Sequence, residues 1–187
     1  MTQSRKIRRA KIIQAAHEDF CESGYDRARM ENIARRAGIG KSTIYEYFPS
    51  KTELLLAVVE WGIDRAYHDL DAIFTSKTPI REIVNRYLEY MHGMAVSAAA
   101  FFMTLRNDDP AFQDVHSAIR HFCEFLVENI KVAIVSAVAR GEVSTKVDPG
   151  AAALMLVSMS SPLITLGEWE TTMEQILDVL FEGLDPR

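Results

Sequence analysis

The chain has 187 residues, 48% apolar and 25% charged, which suits a soluble globular protein and excludes a disordered, fibrous or collagen-like one. That length is long for one compact domain and short for two ordinary ones, so it predicts a small module joined to a larger one. The net charge of −5 is unevenly shared: residues 1–51 carry 11 Lys/Arg against 6 Asp/Glu and residues 52–187 carry 10 against 20, so a basic end suited to a polyanion is joined to an acidic body.

The basic start, Met1 to Arg9, is followed by no uninterrupted apolar segment, so no signal peptide is expected. The most apolar stretch, Ala151 to Leu166, is interrupted by Ser158, Ser160, Ser161 and Pro162, and falls short of the roughly 20 apolar residues that cross a bilayer. Cys21 and Cys123 have no CxxC partner, so no disulfide framework is expected. These features place the chain in a reducing cytoplasm, away from membranes.

Helical spacing recurs throughout, with no strand alternation, hairpin signal or repeat. A first helix is predicted from about Ser4 to Ser23, with Ile13, Ala16 and Phe20 on one face and Gly24 as a left-handed stop. A short second helix, Met30 to Ala37, is expected to bury Ile33, Ala34 and Ala37. Gly38-Ile39-Gly40 then breaks the pattern before a third helix of about two turns, Lys41 to Phe48. Ser50 and Glu53 form a capping box opening a long helix to about Phe74. Thr78-Pro79 opens the next helix, to about Arg106. Asp109-Pro110 starts another that reaches Arg140, with a break expected near His116. Asp148-Pro149 opens a helix ending near Gly167 and kinked at Pro162, and Thr171 with Glu174 caps a last helix to about Leu184. Nine or ten helices and no sheet result, an all-α fold.

Two short helices joined by a tight glycine turn are the parts of a helix-turn-helix, whose second helix enters the major groove. Gly38 fits the position of positive φ, and Ile39 plugs the space between the helices. Ile44 and Phe48, four apart, point inward, while Lys41, Ser42, Thr43, Tyr45 and Tyr47 stand at the start and one flank of the third helix. Hydroxyl, lysine and tyrosine side chains are standard phosphate donors, and a lysine also reads guanine O6/N7. Lys51 sits in the first turn of the next helix, poorly placed for that helix's dipole and well placed for a phosphate.

The run from Gly24-Tyr-Asp through Ile33-Ala-Arg-Arg-Ala-Gly38-Ile to Ser42-Thr-Ile-Tyr45-Glu-Tyr47-Phe48-Pro-Ser-Lys51-Thr-Glu-Leu-Leu resembles the DNA-binding domain of the TetR family of transcriptional regulators, from about Ile12 to Leu55. The resemblance implies a helix-turn-helix DNA-binding domain at 1–50 and a larger helical ligand-binding and dimerisation domain at 51–187. It also implies double-stranded operator DNA as partner, a repressor acting as a homodimer, and release by a small apolar or amphipathic ligand. Phosphate contacts carry over to Thr43, Tyr45, Tyr47 and Lys51, and base reading to Lys41 and Ser42. Two positions depart from the family pattern: Arg29 stands where Ser or Thr usually caps the second helix, though it still suits a phosphate, and Gly40 stands where Ser often caps the third.

Met173, Ile176, Leu177, Leu180, Phe181 and Leu184 recur at helical spacing in a stripe wide enough for a dimer interface, and Met155 lies in a helix apolar nearly all round. Trp61, Tyr87, Met91, Phe101, Phe102, Phe122, Phe125 and Met155 are the candidates for an adaptable apolar pocket. His116, His121 and Cys123 lack the i, i+3 or i+4 spacing at which helical metal ligands converge, so neither metal nor cofactor is expected. No nucleophile elbow, phosphate loop or dinucleotide fingerprint appears, so no enzyme is expected. Two alternatives stand beside the repressor: a helical enzyme or carrier with a merely structural hairpin, and a non-inducible or activating DNA-binding protein with a filled core.

Overall fold

The computed structural model describes residues 3–97, 110–160 and 173–182, without the side chains of 173, 174, 176 and 182. Among these it has eight α-helices and no strand: α1 Gln3–Ser23, α2 Met30–Arg36, α3 Lys41–Tyr47, α4 Lys51–Phe74, α5 Ile80–Ser97, α6 Gln113–Ala139, α7 Pro149–Met159 and α8 Met173–Glu182. The described residues fall into two compact units, one within Met1–Ala66 and Ser97–His121, the other within Tyr67–Val96 and Phe122–Arg187. The first unit therefore takes in residues beyond the 1–50 segment. Among the described residues no helix is long and apolar enough to cross a membrane.

In the first unit the predicted stops are left-handed glycines. Gly24 has φ 76° and its N–H donates to the Phe20 carbonyl at 2.9 Å. Gly38, φ 71°, ends α2 in a Schellman arrangement in which the Ile39 N–H reaches back to the Ala34 carbonyl at 2.9 Å. A side chain at Gly38 would meet no atom within 4 Å, so the backbone angle and not space calls for glycine there. Ile12, Ala16 and Phe20 of α1, Ile33 and Ala34 of α2, Ile44 of α3 and Leu54, Leu55 and Val58 of α4 form one buried core. Each of the large ones contributes about 1.5–3 kcal/mol by leaving water. The Arg36 guanidinium forks onto both Glu22 carboxylate oxygens at 3.0 and 2.6 Å, tying α2 to α1. That bond holds the Glu22 carboxyl below its ordinary range.

In the second unit α5 begins as predicted, but by another device. The Thr78 hydroxyl pairs with Ser76 Oγ at 2.9 Å, and the Ile80 N–H donates to Glu142 Oε2 at 2.7 Å. The break expected near His116 is not found: one 3₁₀ turn at Pro110–Phe112 leads into an uninterrupted α6. Buried Val115, Phe122, Leu126, Ile130, Ile134 and Ala137 keep a helical stripe along α6, and a half-buried imidazole does not interrupt it. Gly141, φ 76°, closes α6 with the Glu142 N–H on the Ala137 carbonyl at 3.0 Å. Asp148 caps α7 as the sequence predicts, its Oδ1 accepting from the Ala151 N–H at 2.7 Å with Pro149 in the first turn. The expected Pro162 kink and Thr171 cap lie outside the described residues.

Tyr87 on α5 and Ser160 at the end of α7 are both buried, and their oxygens are 2.5 Å apart. With Tyr87 donating, the Ser160 hydroxyl is free to donate to the Val157 carbonyl at 3.2 Å, which satisfies the chain. Burial pushes the Tyr87 phenol up to about 12. An unfolded tyrosine ionises near pH 10, so this phenol's contribution to stability is complete below about pH 10 and is lost as pH rises toward 12. Tyr87→Phe is expected to flatten the fall in urea-unfolding free energy between pH 10 and 12. An identical fall in wild type and variant would rule out this phenol as its source.

Candidate nucleic-acid interface and effector region

Helix α3 is pinned by Ile44 and by Phe48 just past its end, both buried against α1, α2 and α4 residues of the core. The period of 3.6 residues per turn then dictates the rest: Lys41, Ser42 and Tyr45 are exposed, and Thr43 and Tyr47 are half-buried. Arg29 precedes α2 with an extended backbone, makes no side-chain cap bond and is exposed. Gly40 likewise offers α3 no side-chain cap.

Two residues that sequence reasoning passed over border this surface. Arg5 of α1 lies over the Tyr47 ring at 5.5 Å, and Arg9 lies over Phe48 at 5.1 Å. A shallow hollow of about 270 Å³ is lined by Ser4, Arg5, Arg8, Glu46 and Tyr47. The basic charge of residues 1–51 gave the signal that α1 belongs with α3, but only the packing shows which arginines reach it.

Lys51 is differently placed from Lys41. Its Nζ donates to the carbonyls of Tyr25 at 2.8 Å, Ala28 at 3.1 Å and Asp26 at 3.4 Å, and stands 4.2 Å from the Tyr25 ring centre. An ammonium has three donors, so the turn between α1 and α2 occupies all of them. Burial lowers its pKa, with Asp26 opposing. A phosphate would have to displace one of these carbonyls.

The pocket candidates separate. Trp61 belongs to the first unit, half-buried, with the His17 ring edge-on at 5.2 Å and Arg65 over it at 5.0 Å. Burial holds His17 below its usual pKa. Tyr87, Met91 and Phe122 are buried in the second unit and Phe125 is half-buried. Tyr67, which the sequence gave no reason to choose, stands edge-on to Phe125 at 4.4 Å and to Phe122 at 5.6 Å. Phe101 and Phe102 lie outside the described residues, as do the side chains of Met173 and Ile176.

Of the interface candidates, Leu177 is buried within its own unit, and Leu180 and Phe181 are half-buried, Phe181 under Arg81 at 5.6 Å. Arg81 also pairs with Asp178. Met155 is exposed, as are Leu154 and Met159 on the same helix. Among the described residues no His, Cys, Asp and Glu cluster could hold a metal. Burial pushes both the Cys21 and Cys123 thiols up, away from nucleophilic use.

Residues 12–58 match the family model for bacterial regulatory proteins of the tetR family. The HTH-type transcriptional activator FasR of Mycolicibacterium smegmatis is 31% identical over 109 residues, 58% of this chain and 45% of that protein. The chain spans about half the length of several curated relatives it matches. A TetR/AcrR-family regulator from Thermobifida fusca is similar in structure, with TM-score 0.71, 26% identity and coverage of 96% of this chain and 99% of that one. The regulator FadR of Bacillus subtilis, solved with stearoyl-CoA, has the same fold, with TM-score 0.70, 20% identity and coverage of 94% and 99%.

Proposed function

The chain belongs to the TetR family of transcriptional regulators, and from that premise we propose that it binds operator DNA as a homodimer, represses transcription and is released by a small amphipathic ligand. Membership sets aside the enzyme or carrier alternative. The observation that carries the DNA reading is the outer surface of α3, where Lys41, Ser42 and Tyr45 are exposed while Ile44 and Phe48 hold the helix down. In this reading Lys41 and Ser42 face base edges, and Thr43, Tyr45, Tyr47, Arg29 and Arg5 face phosphates. Lys51 serves chiefly by holding the turn before α2.

The ligand class proposed is an acyl-coenzyme A thioester, supported by the stearoyl-CoA of the FadR structure and by the aromatic cluster of Tyr67, Phe122 and Phe125. Helix α4, whose residues 51–66 belong to one unit and 67–74 to the other, is the proposed lever. A swing from mostly bound to mostly released takes on the order of 5 kcal/mol of differential affinity. The FasR relative is named an activator, which favours the opposite sign of control. A promoter-reporter assay separates the two.

The test is fluorescence anisotropy on labelled duplex from the chain's own promoter region. Wild type is expected to bind with Kd of about 10⁻⁸–10⁻¹¹ M, with a steep fall in added salt. Tyr45→Ala should weaken it about 10-fold or more at unchanged helicity, and stearoyl-CoA should release the wild-type complex. Equal binding by Tyr45→Ala would sink the assignment of α3. A complex indifferent to acyl-CoA thioesters of every length would sink that ligand class.

A further inference from the structure

The first turns of α2 and α3 are joined across the Gly38 turn by one ion pair, Lys41 Nζ to Glu31 Oε1 at 2.7 Å, with both side chains about half exposed or more. Lys41 is the cation the DNA reading assigns to base edges, yet its nearest partner is a carboxylate. An exposed pair of this kind contributes little to folding. A carboxylate on a phosphate-facing surface also opposes attraction to the duplex. Its use therefore lies in selectivity, where an acceptor beside a donor can match one base pair and reject the others.

The hydrogen-bonding capacity fits a G·C pair most completely. Glu31 takes one of the three ammonium donors and leaves two, and its carboxylate keeps lone pairs on Oε2. The two groups together present donors next to an acceptor. In the major groove a G·C pair presents the full complement, guanine N7 and O6 as adjacent acceptors and cytosine N4 as donor, whereas an A·T pair alternates acceptor, donor and acceptor, so two adjacent ammonium donors and a carboxylate can satisfy only two of its three groups. The bond between them holds the Glu31 carboxyl below and the Lys41 ammonium above their ordinary values, so both stay charged at neutral pH.

We propose that Glu31 and Lys41 act as one reader of a G·C base pair in each half-site, Lys41 donating to guanine and Glu31 accepting from cytosine N4. This rests on the DNA-binding reading above and adds Glu31 as a specificity residue. The test selects duplexes from a random library with the full chain as wild type, Glu31→Gln and Glu31→Ala, each checked for unchanged helicity. Binding is then measured by anisotropy on the wild-type consensus and on the same duplex with the G·C pair changed to A·T. Wild type is expected to prefer G·C by about 10- to 100-fold, and both variants to lose most of that preference while binding unrelated duplex more tightly. Unchanged selection and preference in the variants would overturn the proposal. So would an equal weakening on every duplex, which marks a merely structural strap. If wild type enriches no sequence, the DNA-binding reading itself is overturned and this one with it.

Discussion

Replacing Leu154 and Met155 together by arginine is expected to turn the dimer proposed here into a folded monomer and to weaken operator binding about 100-fold or more. Helix α7 buries Ala153, Leu156 and Val157 in its own unit, while on its other face Leu154 and Met155 are 59% and 47% exposed, followed by Met159. Single exposed apolar residues need no explanation, but three large ones on a helix this short need a partner surface. If two copies bury the exposed half of these three side chains each, the transfer term at about 1 kcal/mol apiece comes to roughly 6 kcal/mol, within the range of the cost of association. An arginine there would have to be buried unpaired or keep the copies apart. Loss of the dimer costs DNA affinity because two recognition helices reach successive half-sites only when joined. Light scattering at micromolar concentration and anisotropy on the operator check both parts, and a variant that remains dimeric with wild-type affinity would remove α7 from the interface.

The stripe around Met173 and Leu184 pointed to α8, whereas the exposure points at least as strongly to α7. The reason is visible in Leu177, which is buried inside its own unit. Helical spacing shows that a face is apolar without showing whether its own domain or a second copy covers it. Pocket candidates suffer the same ambiguity: Tyr87 and Met91 are fully packed, Trp61 belongs with the helix-turn-helix unit, and Tyr67 was missed because an aromatic's neighbours across the sequence are invisible in it.

Local chemistry, in contrast, was readable. Gly24 and Gly38 stop α1 and α2 because only a residue without a Cβ takes those φ values cheaply. Asp148-Pro149 opens α7 by a contact spanning three residues. Thr78-Pro79 opens α5 at the expected place, but the acceptor for its first N–H is Glu142, sixty-two residues away, and no local rule reaches that far. The expected break at His116 fails because the apolar stripe on either side of it is continuous.

Lys51 is the residue whose meaning changed most between sequence and structure, and Lys51→Met is expected to lower stability by about 2–3 kcal/mol. Methionine keeps much of the stem and removes the ammonium, so the carbonyls of Tyr25, Asp26 and Ala28 lose a shared charged donor, a type of bond worth about 1.5–3 kcal/mol. At this chain length that is a fall of roughly 5–10 °C in Tm. The turn it holds sets the entry of α2, with Arg29 at its cap, so DNA affinity should fall as well. The salt dependence separates the two roles. A lysine that neutralises a phosphate lowers the slope of log K against log salt by about one when removed, whereas a strap that only positions α2 leaves the slope as it was. Calorimetric melting and anisotropy at several salt concentrations, both below the variant's Tm, read the outcome. An unchanged Tm together with a slope reduced by one would return Lys51 to the phosphate-contacting set that the sequence first suggested.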